Sequence, residues 1–166
     1  SSFDCVLLMG PLYHLTESYE IHQSLKEVFR ILKNDGVIIA GFIPHLSGTA
    51  GIIERSIYAP HQVTPEIIGE TFNTGIFRNN SETGFQEGIY LSSKQVNDYM
   101  AQAGFEKILL RSTRGLGYKL EKGIIEKKIS DPILYQKIVK IIEASSEDEA
   151  VINTCGHALY IGKKNV

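Results

Sequence analysis

The chain has 166 residues, 43% of them hydrophobic and 22% charged, with a formal net charge of −2. That balance suits one folded domain and excludes a disordered tail, a fibrous repeat and a small disulfide scaffold. It offers no basic field for sequence-independent nucleic-acid binding, and the longest apolar run, Cys5–Met9, is far short of the roughly 20 residues that a membrane helix needs.

In chain order, Cys5–Met9 reads as a strand buried on both faces and ends at the turn signal Gly10-Pro11. Thr16 is placed to cap a helix with Glu17 and Glu20 in its first turn and Ile21, Leu25, Val28, Phe29 and Leu32 on one face. Asn34-Asp35-Gly36 should stop it, and Val37–Ala40 is a second strand, so the first 43 residues form a parallel βαβ unit. Pro44–Tyr90 holds three of the five prolines and is too long for a simple loop; it reads as an inserted lid. Within it, Ala50–Tyr58 and a segment from the Thr64-Pro65-Glu66 cap to Phe72 suit short helices.

Ser92-Ser93-Lys94-Gln95 has capping-box spacing and opens a helix ended by Gly104. Phe105–Thr113 is a strand, Leu116–Ile125 a weak helix interrupted by Gly123, and Asp131-Pro132 caps a further helix. Glu147-Asp148-Glu149 reads as a solvated acidic turn, His157–Gly162 as the last strand, and Lys163-Lys164 as a tail in solvent. Cys5 and Cys155 form no C-x-x-C pair, which points to reduced core thiols and a cytoplasmic setting. No basic segment leads into an apolar stretch as in a secretory leader. A buried strand so near residue 1 suggests the C-terminal piece of something longer.

Gly10-Pro11-Leu12-Tyr13-His14-Leu15 leaves the first strand at its carboxyl end, where open α/β sheets bind ligands. Glycine admits a close backbone approach, and Tyr13 and His14 supply a ring and a proton donor or acceptor; a turn covering a helix start would look the same. The segment from Phe3 to Leu15 resembles the fourth-strand motif of class I S-adenosylmethionine-dependent methyltransferases. Leu25-Lys26-Glu27-Val28-Phe29-Arg30-Ile31-Leu32-Lys33-Asn34-Asp35-Gly36 resembles the family's L-x-E-x-x-R-x-L-K-P-G-G pattern, with Asn34 and Asp35 replacing its Pro and first Gly. Ala103-Gly104-Phe105 resembles the turn into its sixth strand.

The resemblance implies part of an open, mostly parallel Rossmann-like α/β sheet with helices on both faces and an antiparallel last strand. It implies methyl transfer from S-adenosylmethionine to a small-molecule or other acceptor, with His14 and Tyr13 near the methyl group. The backbone of Met9, Gly10 and Leu12 would form the cofactor-side wall. The family's glycine-rich turn and ribose-binding carboxylate would lie upstream, so residues 1–166 correspond to its second half, with 44–90 as the lid. This half would be inactive alone, or would act as a docking module for a partner supplying the first half.

Among other candidates, His45 follows Pro44 beside the expected crevice and Arg114 adjoins Gly115-Leu116-Gly117; both are candidates for substrate contact. Gly115-Leu116-Gly117 lacks the third glycine of a dinucleotide fingerprint, since Leu120 stands there, and reads as a loop. His22 reads as a residue on an exposed helix face and His157 as one that opens the last strand; His61, in the insert, is a further candidate for substrate contact or loop packing, and Glu54, Arg55, Glu66 and Glu70 read as solvated faces. No histidine pair or cysteine cluster has zinc-site spacing.

Overall fold

The computed structural model describes residues 2–78 and 86–165; part of the expected lid, 79–85, lies outside the described residues. Strand β1 (Phe3–Leu8) is followed by a short helix α1 (Pro11–His14), helix α2 (Ser18–Ile31) and strand β2 (Leu32–Phe42). β1 and β2 pair in parallel, with Cys5 opposite Val37 and Leu7 opposite Ile39. The expected βαβ unit is present, but its helix starts differently. Proline at the first helical position nucleates α1, so Thr16 falls in the link and Glu17 occupies the N-cap of α2 without a side-chain bond.

The insert contains α3 (His45–Tyr58), a 3-10 turn (Pro60–Gln62), α4 (Pro65–Thr74) and the short antiparallel strands β3 (Ile76–Arg78) and β4 (Glu87–Ile89). Thr64 caps α4 by accepting the Ile67 N–H at 3.4 Å, and Gly75, at φ 79°, ends it in the left-handed conformation. The insert's ends are tied together by the His45 N–H, which donates to the Leu91 carbonyl at 3.1 Å. A small separate core of Ile52, Val63, Phe77 and Tyr90 holds it.

Beyond the insert run α5 (Ser93–Gln102), β5 (Phe105–Ser112), a 3-10 turn (Gly115–Gly117), α6 (Glu121–Ser130), α7 (Pro132–Ser145), α8 (Glu149–Thr154) and β6 (Ala158–Lys164). The Ser92–Gln95 capping box and the Asp131 cap form as expected. The acidic turn is instead the start of α8: Asp148 accepts the N–H groups of Ala150 and Val151 at 2.9 and 3.3 Å.

The sheet order is β1-β2-β6-β5. β6 is antiparallel to both neighbours, so β1, β2 and β5 run one way and β6 runs against them. The fold is therefore α/β with a mixed sheet. Two expectations are corrected. Helices from α2, α5 and α8 bury one face around Leu25, Ile38, Phe42, Met100 and Tyr160, whereas the other face is only partly covered. β1 is accordingly not buried on both faces: Leu8 is buried, but Phe3, Leu7 and Met9 are exposed, as is Cys5; only Cys155 is a core thiol.

Lys164 does not trail into solvent. It is buried, and its ammonium donates to the carbonyls of Phe29 and Leu32 at 2.7 and 2.9 Å, 4.3 Å from the Phe29 ring centroid. A cation thus serves the C-terminal carbonyls of α2, where the helix dipole favours it.

Candidate active site

The carboxyl ends of β1, β2 and β5 and the start of β6 lie along one edge of the sheet, and Arg55, Phe77 and Tyr90 from residues 44–90 share a cavity with residues at that edge. After β1, α1 turns Leu12 into the core and leaves Tyr13 and His14 half-buried, with ring centroids 4.6 Å apart. The Tyr13 hydroxyl donates to the Met9 carbonyl at 3.3 Å. His157, immediately before β6, meets the Tyr13 ring edge-on at 6.0 Å. On the insert side, Phe77 and Tyr90 stack nearly parallel at 4.9 Å. Gly48 of α3 is required for that wall, because a Cβ there would lie 2.2 Å from the Tyr90 ring. The Ser47 hydroxyl accepts the Gly156 N–H at 2.8 Å and fastens α3 to the start of β6.

These residues enclose a cavity of about 350 Å³ between Tyr13, His14, Ile43, Arg55, Phe77, Tyr90 and His157. A second chamber of about 200 Å³ shares Ile43, Arg55, Tyr90 and His157 and extends to Arg114 and Tyr118. The size is that of a small-molecule site, at the sheet edge where such sites form. Burial pushes the Tyr90 hydroxyl up to about 12, against the opposing pull of Arg55, so it remains protonated. Burial, then the nearby Arg114 charge, holds His157 below the usual histidine value, which favours a neutral imidazole.

Tyr13, His14 and Arg114 are thus brought to one cleft, whereas Met9, Gly10 and Leu12 do not line either chamber. The Met9 side chain is exposed and lies over Gly41, while Leu12 is fully buried and can offer only backbone. A Cβ at Gly10 would meet only His14 Cδ2, at an ordinary 3.6 Å. His45 stands apart: its Nε2 lies 3.3 Å from the Thr71 carbonyl oxygen and its ring stacks on Phe72, so it joins α3 to α4 and does not line the cleft. Gly115-Leu116-Gly117 is a turn organised by Ser112, whose Oγ accepts the Arg114 and Gly115 N–H groups at 3.3 and 2.9 Å.

Arg55, read from sequence as part of a solvated face, lines both chambers. Phe77 and Tyr90 carried no motif that marked them, and the ring of His157 faces the cleft as well as opening β6. Among the described residues no cluster of three His, Cys, Asp or Glu side chains could hold a metal ion, and no helix is long and apolar enough to cross a membrane.

No family model and no curated protein sequence matches the chain. Solved structures do. A SAM-dependent methyltransferase from Methanosarcina mazei aligns over 100% of this chain and 61% of its own length, with 16% identity and a TM-score of 0.58. A Listeria monocytogenes protein assigned as an S-adenosylmethionine-dependent methyltransferase aligns over 99% and 62%, at 13% identity and a TM-score of 0.56. A SAM-dependent methyltransferase from Thermotoga maritima aligns over 99% and 57%, at 16% identity and a TM-score of 0.50. The chain shares the fold of these methyltransferases. It spans 57% to 62% of their length.

Proposed function

We propose that this chain is the acceptor-side portion of an S-adenosylmethionine-dependent methyltransferase acting on a small molecule. The observation that carries the reading is the cleft at the carboxyl edge of the sheet, between Tyr13-His14 and Phe77-Tyr90, in a fold shared with such enzymes. S-adenosylmethionine supplies an activated sulfonium methyl group. On this reading one side of it would rest on the exposed Met9 side chain and the backbone of Gly10 and Leu12, which join β1 to Tyr13 and His14. The second flank, with a glycine turn and a ribose-binding carboxylate, belongs to a longer or reconstituted protein on this reading.

The chain's own side chains then orient the acceptor and exclude water. Tyr13, Phe77 and Tyr90 present ring surfaces to its body. His14 and His157 stand where a proton released from an acceptor hydroxyl or amine could be received at an imidazole nitrogen. Residues 44–90 act as the lid that selects the acceptor, and hydrogen exchange there should be faster than in Val37–Ala40. In an active longer form, His14→Ala should lower turnover by roughly 10²-fold and leave cofactor affinity nearly unchanged. Normal turnover with a lowered melting temperature would reduce His14 to a packing role. The chain alone should bind S-adenosylmethionine weakly; micromolar affinity by calorimetry would contradict the division into halves.

A second reading has its own support. The half-covered sheet face and the outer edge of β1, which no strand pairs with among the described residues and near which Phe3, Leu7 and Met9 are exposed, suit a module that docks on a partner carrying the cofactor half. Methyl transfer that appears only on mixing with such a partner would favour it.

A further inference from the structure

Five arginines occur in the chain. Arg30 pairs with Glu27, Arg78 with Glu70 and Glu87, and Arg114 with Glu121 at 3.3 Å, while Arg111 donates to the Ser146 hydroxyl at 2.8 Å. Among the described residues Arg55 alone has no such partner, although it is half-buried and lines both chambers of the cleft. The adjacent carboxylate, Glu54, is bound instead to Lys119. A guanidinium removed from part of its water with its donors unused is costly unless an acceptor arrives.

Among the described residues, the lining of the two chambers contains two guanidiniums, Arg55 and Arg114, two imidazoles and no carboxylate. Arg114 is held in place by Glu121 and by the Tyr118 ring, whose centroid lies 5.6 Å from its guanidinium carbon. A cationic amine entering here would meet repulsion with no compensating charge. An anion would find the planar fork of Arg55 free for two parallel hydrogen bonds. In the same cavity, Tyr13, Phe77 and Tyr90 offer an apolar surface that a charged head group alone would not use.

We propose, building on the methyltransferase reading, that the acceptor is a small molecule with an apolar body and an anionic head group, a carboxylate or a phosphate. Arg55 is the principal anchor of that head group and Arg114 its second.

The test is titration of the full chain, followed by backbone and arginine side-chain NMR, with benzoate and phenyl phosphate as probes and benzylamine and benzamide as controls. The expected result is saturable binding of at least one anion, with shifts at Gly48, Gly156 and the Arg55 Nε–H, and none with benzylamine. The tighter of the two anions identifies the head group. Arg55→Gln should weaken the anion about tenfold or more, Arg55→Lys less, and Arg30→Gln, outside the cleft, not at all. Melting curves on the same samples show whether each variant is folded, and Arg55→Lys keeps the test decisive if Arg55→Gln is not. Binding of benzylamine as tight as benzoate, anion binding that survives Arg55→Gln, or no anion binding would each overturn the proposal. The two readings fail separately. Anion binding in the cleft without methyl transfer in any longer form removes the methyltransferase reading and keeps the anion site. Methyl transfer to an amine that benzoate does not inhibit does the reverse.

Discussion

On one face of the sheet Ile38, Ala40, Phe42, Ala158 and Tyr160 are at most 1% exposed beneath α2, α5 and α8. On the other, Leu7 is 65% exposed and Val37, Ile39, Leu159 and Ile161 are only partly covered. The side chains are of the same kind, and β2 alternates between the two faces residue by residue. Apolar runs such as Cys5–Met9 and Val37–Ala40 therefore report that both faces are fit for burial. Which face is buried depends on helices encoded elsewhere. The covered face carries the fold's energy, and its carboxyl edge carries the cleft.

The largest expected effect comes from truncating that covered face. Phe42→Ala should destabilise by about 3–5 kcal/mol, the range for a fully buried aromatic. Ile161→Ala, on the open face of the neighbouring strand β6, should cost much less because its surface stays partly in water. Urea midpoints measured side by side decide this; equal losses would mean that the open face is covered in solution.

Adjacent lysines on β6 give a second contrast. Lys164→Met leaves the Phe29 and Leu32 carbonyls without their buried donor and should cost roughly 1–3 kcal/mol. Lys163→Met removes an exposed pair with Asp35, 2.8 Å long, and should shift the thermal midpoint little. If the two shift it alike, Lys164 is not the cap of α2.

Much of this was legible in the sequence for identifiable reasons. Caps are local chemistry, so Ser92-Gln95, Thr64-Pro65 and Asp131-Pro132 marked helix starts correctly. The antiparallel last strand followed from resemblance. Burial was not legible where it depends on distant contacts. Lys164 looks like a tail residue until β6 places it beside the end of α2. Asp148 looks solvated until it is seen capping α8. In the cleft, Tyr13 and His14 were visible because they follow a strand and a turn. Arg55 and Tyr90 were not, because only the folding of the insert, with Gly48 against the Tyr90 ring, carries them to the sheet edge.

A pH titration adds a third comparison. Tyr160, inside the covered face, and Tyr90, on the cleft wall, are both pushed up to about 12, chiefly by burial. A folded value above the unfolded one stabilises the native state fully below the ordinary tyrosine value and is lost as pH rises through about 12. Stability should therefore fall steeply from about pH 10 upward, and Tyr160→Phe should flatten the slope. An unchanged slope would show that Tyr160 ionises without hindrance. His157 acts at the other end. Its lowered value means stability is lost as pH falls below the ordinary histidine range, and His157→Asn should remove that small contribution.

The smallest effect on stability, and the one that bears most on function, is expected on β1. The sheet's other edge strand, β5, carries Glu106, Lys107 and Arg111 and a bulge between Lys107 and Leu109, features that discourage strand addition. β1 offers one charge, Asp4, and that is bound to Lys33 at 2.9 Å. Its exposed Leu7, and Met9 just after it, sit beside an edge that no other strand pairs with among the described residues. Leu7→Lys should leave the melting temperature almost unchanged, since little of that side chain is withdrawn from water, yet it should reduce concentration-dependent association in sedimentation velocity. The same charge on β5, at Ile108, which is 57% exposed beside the bulge, should change association far less. If neither substitution alters association while Leu7→Lys lowers the melting temperature by several degrees, the open face is folded against something, and the contrast between the two faces fails.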